Sequence, residues 1–483
     1  MVSVHQKIAT GISGLDIIFG GGYIQNSNCL VKGKPGTGKT TLGLHFLNAG
    51  TLQGEKCLLI TLGERRSGIV ANAALFGIDL SETAILDLSP QAEFFSRSQS
   101  YDIFTPSEVE REPVTAEIMK CVEELKPSRV FIDSVSNFRY LAGDEFQYRR
   151  QTIAFLRYLQ ENGATVLLTS ESGSESQDSD LQFICDAVIN LCSFDFYNTL
   201  KVEKYRGMNH LKGAHSFRIT DSGITIFPKL RPSVHSREFI PALFPSGIES
   251  LDKLTGGGLN SGTVSIISGP AGVGKTTAGM QFLVQNAVSG GHSVHFSFEE
   301  ETEIMIQRCE KIGIPVKSQA ESGRLSIIKV EPLSHTPDEF ALIVRNEVES
   351  RNASLVMIDS IAGYKIATGD SDLTPDLHAL CKYLQNMGVA TILIAEQETI
   401  AGEFRATDNG ISYLADTLIF IKYIEINGSI KKAIGVLKKR LGDFEKTLRE
   451  LEITGGGIKV GAPFHNVKGI LTGIPEWLNL KKE

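Results

Sequence analysis

Two short stretches carry the residue types needed to grip a polyphosphate. They are Gly33-Lys34-Pro35-Gly36-Thr37-Gly38-Lys39-Thr40 and Gly269-Pro270-Ala271-Gly272-Val273-Gly274-Lys275-Thr276. Both fit G-x-x-x-x-G-K-[ST]. The glycines at 33, 36 and 38, and at 269, 272 and 274, let backbone N–H groups close around phosphate oxygens, with Thr37 and Val273 inside the same loops. Lys39 and Lys275 are placed to reach the β- and γ-phosphates, and Thr40 and Thr276 to hold Mg²⁺. Thr41 and Thr277 lead into helices whose N-termini add a favourable dipole. A chain this long shows the pattern by accident only about 0.03 times at average residue usage. Two copies therefore define two nucleotide-binding sites.

Phosphoryl chemistry also needs acids. Val130-Phe131-Ile132-Asp133-Ser134 and Val356-Met357-Ile358-Asp359-Ser360 are apolar strand-like runs ending in a carboxylate. Beside a phosphate loop, Asp133 and Asp359 suit the magnesium shell. Phe298-Glu299-Glu300-Glu301 follows another strand-like run, so its acids emerge at the carboxyl edge where ligands bind. The matching first-half stretch is Leu62-Gly63-Glu64-Arg65, with one acid. Glu64, Glu299 and Glu300 are the candidates to orient or deprotonate the attacking oxygen. Two basic groups, Lys204-Tyr205-Arg206 with His210 and Lys438-Lys439-Arg440, lie far from the loops in sequence.

Positioning these groups requires strands and helices in alternation. Asn28–Lys32 and Val264–Ser268 read as buried strands before each loop, and Leu42–Leu47 and Ala278–Leu283 as helices after it. Further apolar runs are Cys57–Leu62, Val130–Asp133, Thr165–Thr169 and Ala187–Leu191, then Ser293–Phe298, Leu355–Asp359, Ala390–Ile394 and Thr417–Tyr423. Continuous hydrophobicity predicts an α/β fold with a mostly parallel sheet covered on both faces. Asn427-Gly428 predicts a two-residue hairpin between 417–426 and 430–437, and a weaker hairpin signal lies near Asn198.

The second half repeats the first. Gly11-Ile12-Ser13-Gly14-Leu15-Asp16 returns as Gly247-Ile248-Glu249-Ser250-Leu251-Asp252, and Gly269 lies 236 residues after Gly33. So long a period means domain duplication. The expected division is a first ATPase domain at 1–227, a linker at 228–245 containing four prolines, a second domain at 246–475 and a tail at 476–483.

Of 483 residues, 42% are hydrophobic and 22% charged, as in a globular chain, and no apolar run approaches a membrane span. Seven unpatterned cysteines argue for a reducing compartment and against structural zinc, and the start lacks a signal core. A cytoplasmic protein is expected. The formal charge of −8 gives no general attraction to nucleic acid.

The constellation resembles the KaiC family of tandem RecA-like ATPases from about Gly11 to Pro475. It rests on the doubled G-I-x-x-L-D…G-G-G…loop opening, Phe298-Glu299-Glu300, the ending Ile219-Thr220-Asp221-Ser222-Gly223-Ile224, and Lys204-Tyr205-Arg206-Gly207 with His210. The resemblance implies two tandem RecA-like P-loop domains with C-terminal antiparallel hairpins, stacked as two tiers of a homo-hexamer. ATP and Mg²⁺ would sit between subunits. Lys204, Arg206 and His210 would reach the neighbour's γ-phosphate, as would Lys438 and Arg440. The first domain would hydrolyse ATP slowly. The second would also act as a serine/threonine autokinase on the adjacent subunit and remove the phosphate again, with Glu299 near the neighbour's Ser412.

Three departures bear on these roles. Tyr413 stands where the family's second acceptor is a threonine, Gly63 replaces the first acid of domain one, and the sequence ends at Glu483. On the last ground KaiA is not expected as a partner, while a KaiB-like partner remains compatible with the resemblance. The alternatives are a RecA- or helicase-like DNA-dependent ATPase and a scaffold in which ATP serves as interface glue. Against the DNA reading, the basic pairs Arg65-Arg66, Arg149-Arg150 and Lys431-Lys432 are short and form no stripe.

Overall fold

The computed structural model describes residues 6–89, 106–142, 144–171, 181–331, 333–367, 373–397, 411–426, 428–464, 467–469 and 476–477. The chain divides into two compact units, Met1–Lys229 and Leu230–Glu483. Among the described residues each unit carries a nine-stranded sheet. Across the first sheet run Thr83–Asp87, Cys57–Thr61, Arg129–Asp133, Thr165–Glu171, Asn28–Gly33 and Ala187–Ser193, all parallel. Asn198–Tyr205, Ala214–Thr220 and Gly223–Phe227 extend it antiparallel.

The second sheet repeats this order with Leu325–Lys329, Ser293–Ser297, Leu355–Asp359, Ala390–Glu396, Val264–Gly269 and Thr417–Ile426. Ser429–Lys439, Arg449–Thr454 and Gly457–Pro463 complete it antiparallel. This is the tandem RecA-like arrangement, with the expected hairpin joining Thr417–Ile426 to Ser429–Lys439 across Gly428 at φ +74. Asn427 lies outside the described residues.

The period-2 alternation of a strand explains why these runs are apolar throughout. Leu59, Phe131, Leu167 and Ile189 point to one face, where they meet Leu42 and Phe46 of the helix after the loop. Leu58, Ile60, Val130, Ile132, Val166 and Leu168 point to the other, against Ile118, Leu156 and Leu159. Both faces are buried, so no polar alternation survives. Gly43 shows how tight the fit is, because a Cβ there would run into the Phe131 ring. Met357 takes the same place against Gly279 in the second unit.

The residues between the two repeats are docked rather than loose. Pro232–Val234 form a 3-10 turn, Asn386 Nδ2 donates to Pro232 O at 2.8 Å, and Arg237 Nε donates to Met387 O at 3.1 Å. Phe239 lies against Gly262 and Gly388. The backbone acceptors and the glycine surface that hold this stretch come from distant sequence, so its composition alone reads as a tether. Of the tail, Glu476–Trp477 pairs antiparallel with Val467–Lys468.

Among the described residues Arg129 is the largest fully buried side chain. Its guanidinium donates to Glu55 Oε2 at 2.7 Å and Oε1 at 3.2 Å, and to the carbonyls of Ala9 at 2.7 Å and Phe46 at 2.9 Å. Leu355 starts the corresponding strand of the second unit. Arg129→Ala strips four acceptors of their donor at once. It is expected to destabilise the first unit by about 3–5 kcal/mol in chemical denaturation while leaving the second unchanged.

Candidate active site

Each phosphate loop connects the central strand of its sheet to a helix, Lys39–Thr51 in the first unit and Lys275–Val288 in the second. The first glycine of each loop lies in the strand, and no side chain fits there. A Cβ on Gly33 would press on Thr37 Oγ1 and Leu191 O, and one on Gly269 on Ile421 O. Gly38 and Gly274 have φ of +90 and +111, which favours glycine. They also abut Ile219 and Ile453, respectively, so the Ile-Thr ending of each repeat packs on its own loop. Gly36 and Gly272 likewise have positive φ. Thr37 Oγ1 donates to Lys34 O at 2.8 Å, whereas its counterpart Val273 is fully buried and presents only backbone.

Lys39 Nζ caps the loop carbonyls of Gly33 at 2.7 Å and Lys34 at 3.0 Å, and Lys275 Nζ donates to Pro270 O at 2.8 Å. Burial lowers the pKa of both ammonium groups. Asp133 and Glu171 oppose this at Lys39, and Glu396, Asp359 and Glu299 oppose it at Lys275. Thr40 Oγ1 donates to Asp133 Oδ2 at 2.7 Å, and Thr169 Oγ1 donates to Asp133 Oδ1 at 2.5 Å. The sequence-predicted pair Thr40 and Asp133 is thus brought together. Asp359 ends the corresponding strand, with His295 Nε2 at 3.7 Å from its Oδ2, and Thr276 is the second residue of its helix. Thr41 and Thr277 are buried one residue further on. Hydroxyl and carboxylate oxygens are the donor set that Mg²⁺ takes.

The acids sit where the neighbouring strand ends. Thr61 Oγ1 and Ser297 Oγ donate to the carbonyls of Glu64 and Glu300 at 2.6 and 2.7 Å, fixing both turns alike. The side chains differ. Glu64 Oε1 accepts from Asn72 Nδ2 at 2.9 Å, and its carboxyl is pushed up by burial and by the charge of Asp133. Glu300 is gripped by Arg308, with Nε donating at 3.0 Å and Nη2 at 2.7 Å, while Arg308 Nη1 donates to Thr277 Oγ1 at 2.6 Å. Glu299 Oε1 accepts from Ser360 Oγ. Sequence reasoning missed Asn72, Arg308 and Ser360. The 236-residue offset that links Glu64 to Glu300 also links Asn72 to Arg308, and that was the available signal. It also missed Glu171 and Glu396, which stand level with Gly33 and Gly269 in the adjacent strands.

The basic groups are not brought to these loops. Tyr205 pairs with Ala187, which is level with Cys29, four residues before Gly33. At ~3.3 Å per residue, Lys204 and Arg206 lie about 13 Å along the strand from the loop, at the opposite edge of the sheet. Lys439 pairs with Thr417, level with Ser265, so Lys438 and Arg440 are displaced equally. Lys204 Nζ is tied to the carbonyls of Gln182, Phe183 and Cys185, and Lys438 Nζ to Ala415 O at 2.6 Å. Arg206 pairs with Asp186 at 3.3 Å and Arg440 with Asp416 at 3.1 Å, yet their side chains remain 58% and 54% exposed. His210 follows with its backbone N–H on Asn209 Oδ1. Ser412 stands in the 3-10 turn Ile411–Leu414, and its side chain lies outside the described residues.

Fold and loops together define a tandem RecA-like phosphate-loop protein. Sequence comparison narrows this further. The family model described as "ATPase: KaiC" matches residues 8–231 and 244–464. The chain is 28% identical over 485 residues to "Circadian clock oscillator protein KaiC" of Parasynechococcus marenigrum (strain WH8102), covering 97% of this chain and 93% of that one. It is 27% identical over 491 residues to the protein of the same name from Synechococcus elongatus (strain ATCC 33912 / PCC 7942 / FACHB-805), covering 98% and 93%. The chain belongs to the KaiC ATPase family.

Arg308→Ala removes three hydrogen bonds and leaves Glu300 without its countercharge. The expected cost to the second unit is about 1.5–3 kcal/mol, read as a lower denaturant midpoint at unchanged m-value. Asn72→Ala, which removes one bond to a carboxylate, should cost the first unit less.

Proposed function

We propose that this chain is a ring-forming ATPase that binds Mg·ATP at two sites per subunit. Each site is completed by cations from the next copy. One observation carries the reading: Arg206 and Arg440 are half exposed at the sheet edge opposite their own loops, too far away to serve them. A second copy placed head to tail brings its cations to the first copy's phosphates. The ring is a homo-hexamer with one tier per unit, as the family resemblance implies.

In each site the loop N–H groups and Lys39 or Lys275 bind the phosphates. Thr40 with Asp133, and Thr276 with Asp359, hold Mg²⁺, which when bound neutralises charge on the β- and γ-phosphate oxygens. Glu64 in the first unit and Glu299 in the second take the proton of the attacking oxygen. Glu300, neutralised by Arg308, positions rather than reacts. The neighbour's Arg206 or Arg440, with Lys204 and His210 or Lys438 beside it, meets charge building on the transferred group. An arginine supplied in this way is worth roughly 10³–10⁵ in rate.

The second unit, with the stronger set of acids, also transfers phosphate to a hydroxyl of the adjacent subunit, with Ser412 as acceptor, and removes it again. The protein works in the cytoplasm, and the family resemblance is compatible with a KaiB-like partner on the first tier. The clock names of its relatives support a timing role, with stress response or signalling as the other processes it could serve. The family match over both units favours this account over a DNA-dependent motor.

Incubation with γ-labelled ATP is expected to label the wild type but not Glu299→Gln or Ser412→Ala, and equal labelling of all three contradicts the kinase reading. The raised carboxyl of Glu64 gives a second outcome. A protonated Glu64 accepts no proton, so hydrolysis remaining in Glu299→Gln should fall with decreasing pH at a midpoint above the ordinary glutamate range. Glu64→Gln should abolish that limb together with the activity.

A further inference from the structure

The two repeats differ at a pair of positions that change together. In the second unit residue 299 is Glu and residue 363 is Gly. In the first unit the matching positions are Gly63 and Asn137, by the 236-residue offset of the phosphate loops and the 226-residue offset of Asp133 and Asp359. Each unit therefore carries one polar side chain in this pair, on opposite members of it.

The geometry explains the exchange. A Cβ on Gly63 would lie 3.0 Å from Asn137 Nδ2, so the Asn137 amide sits against the start of any side chain at 63 and would have to shift by a few tenths of an ångström to admit one. In the second unit a Cβ on Gly363 would collide with Phe298, the residue before Glu299. Gly363 N donates to Ser360 Oγ at 3.1 Å, and Ser360 Oγ donates to Glu299, so the space is used to hold the acid.

The first unit has the same frame. Asn137 N donates to Ser134 O at 3.1 Å in the 3-10 turn Val135–Leu141 that follows Asp133, and Leu62 N donates to Asp133 O at 3.0 Å. Asn137 thus stands at the corner shared by Asp133 and the Gly63-Glu64 turn. Among the described residues its side-chain amide has no hydrogen-bond partner, and its Nδ2 lies 3.0 Å from where the Cβ of a side chain at 63, the counterpart of Glu299, would begin.

We propose that Asn137 replaces, in the first unit, the side chain that Glu299 supplies in the second, and that its amide orients the attacking water for hydrolysis. The inference rests on the ATPase reading above. The water oxygen bonds to the γ-phosphorus, and the bond from that phosphorus to the bridging oxygen breaks. Its electron pair leaves on ADP. The water proton passes to Glu64, because an amide fixes a water by hydrogen bonding and takes no proton from it. Orientation without a second carboxylate leaves the first unit a hydrolase, with the proton acceptor and the water holder on separate residues.

The test measures phosphate release by the full-length protein in a Glu299→Gln background, where the second unit's base is removed. Adding Asn137→Ala is expected to lower kcat at least 10-fold with KM for ATP within about 2-fold, since one oriented hydrogen bond in the transition state is worth that much. Adding Gly63→Glu together with Asn137→Gly, which installs the second unit's pair, is expected to restore kcat to the background value or above. A structural role for Asn137 would shift unfolding and KM and would not be rescued by the paired exchange. Unchanged kcat on Asn137→Ala, or loss that the exchange does not restore, overturns the proposal alone. No phosphate release from Glu299→Gln itself overturns first-unit hydrolysis, and the proposal with it.

Discussion

Strand direction is the constraint on which everything else depends. A parallel sheet sends all its carboxyl ends one way, so the phosphate loops, Asp133 and Asp359, and the acids of 64 and 299–300 gather at one edge. The antiparallel strand Asn198–Tyr205 returns the chain to the other edge before Arg206 appears. Ser429–Lys439 does the same for Arg440. Register, not flexibility, separates the anion grip from the cation. Within one copy of either unit, the half-exposed arginine and the phosphate loop therefore stand at opposite ends of the strands.

Duplication then allows the two copies to diverge around a fixed frame. Thr61 and Ser297 hold the acidic turns in the same way, and Ile219 and Ile453 seal the same glycines. The variation is in what each carboxylate touches. Glu64 accepts from a neutral amide and feels Asp133, while Glu300 is committed to Arg308, which also reaches the helix after the loop. Outside that pairing, Glu299 accepts from the Ser360 hydroxyl and lies within charge range of Lys275. One repeat places a single carboxylate in this turn, and the other places one on a serine hydroxyl and a second in the fork of an arginine.

The parts legible in the sequence were those whose chemistry is contiguous. The phosphate loops, the apolar strands before them and the Asn427-Gly428 hairpin each lie within a dozen residues, so composition and spacing reveal them. Asp133 and Asp359 were legible because a phosphate loop elsewhere in each repeat gives a carboxylate closing an apolar run a magnesium ion to serve; alone, such an Asp reads as a helix cap. Contacts made by folding were not. Arg308 reads as one more surface cation on an amphipathic helix until its fork is seen on Glu300. Asn137 reads as a turn residue until it is seen beside Gly63. Arg237 and Phe239 read as part of a linker because their acceptors, Met387 O and the surface at Gly388, lie some 150 residues further on.

The claim that sites are finished in trans is tested most directly by mixing two inactive proteins. One carries Lys39→Ala with Lys275→Ala, the other Arg206→Ala with Arg440→Ala. In mixed rings, an intact loop meets an intact arginine at about a quarter of the interfaces for equal amounts. ATP turnover should therefore reappear on mixing, at about that fraction of wild type. Mixtures that assemble yet remain as inactive as their parents contradict the account, and so does full activity of the arginine variant by itself.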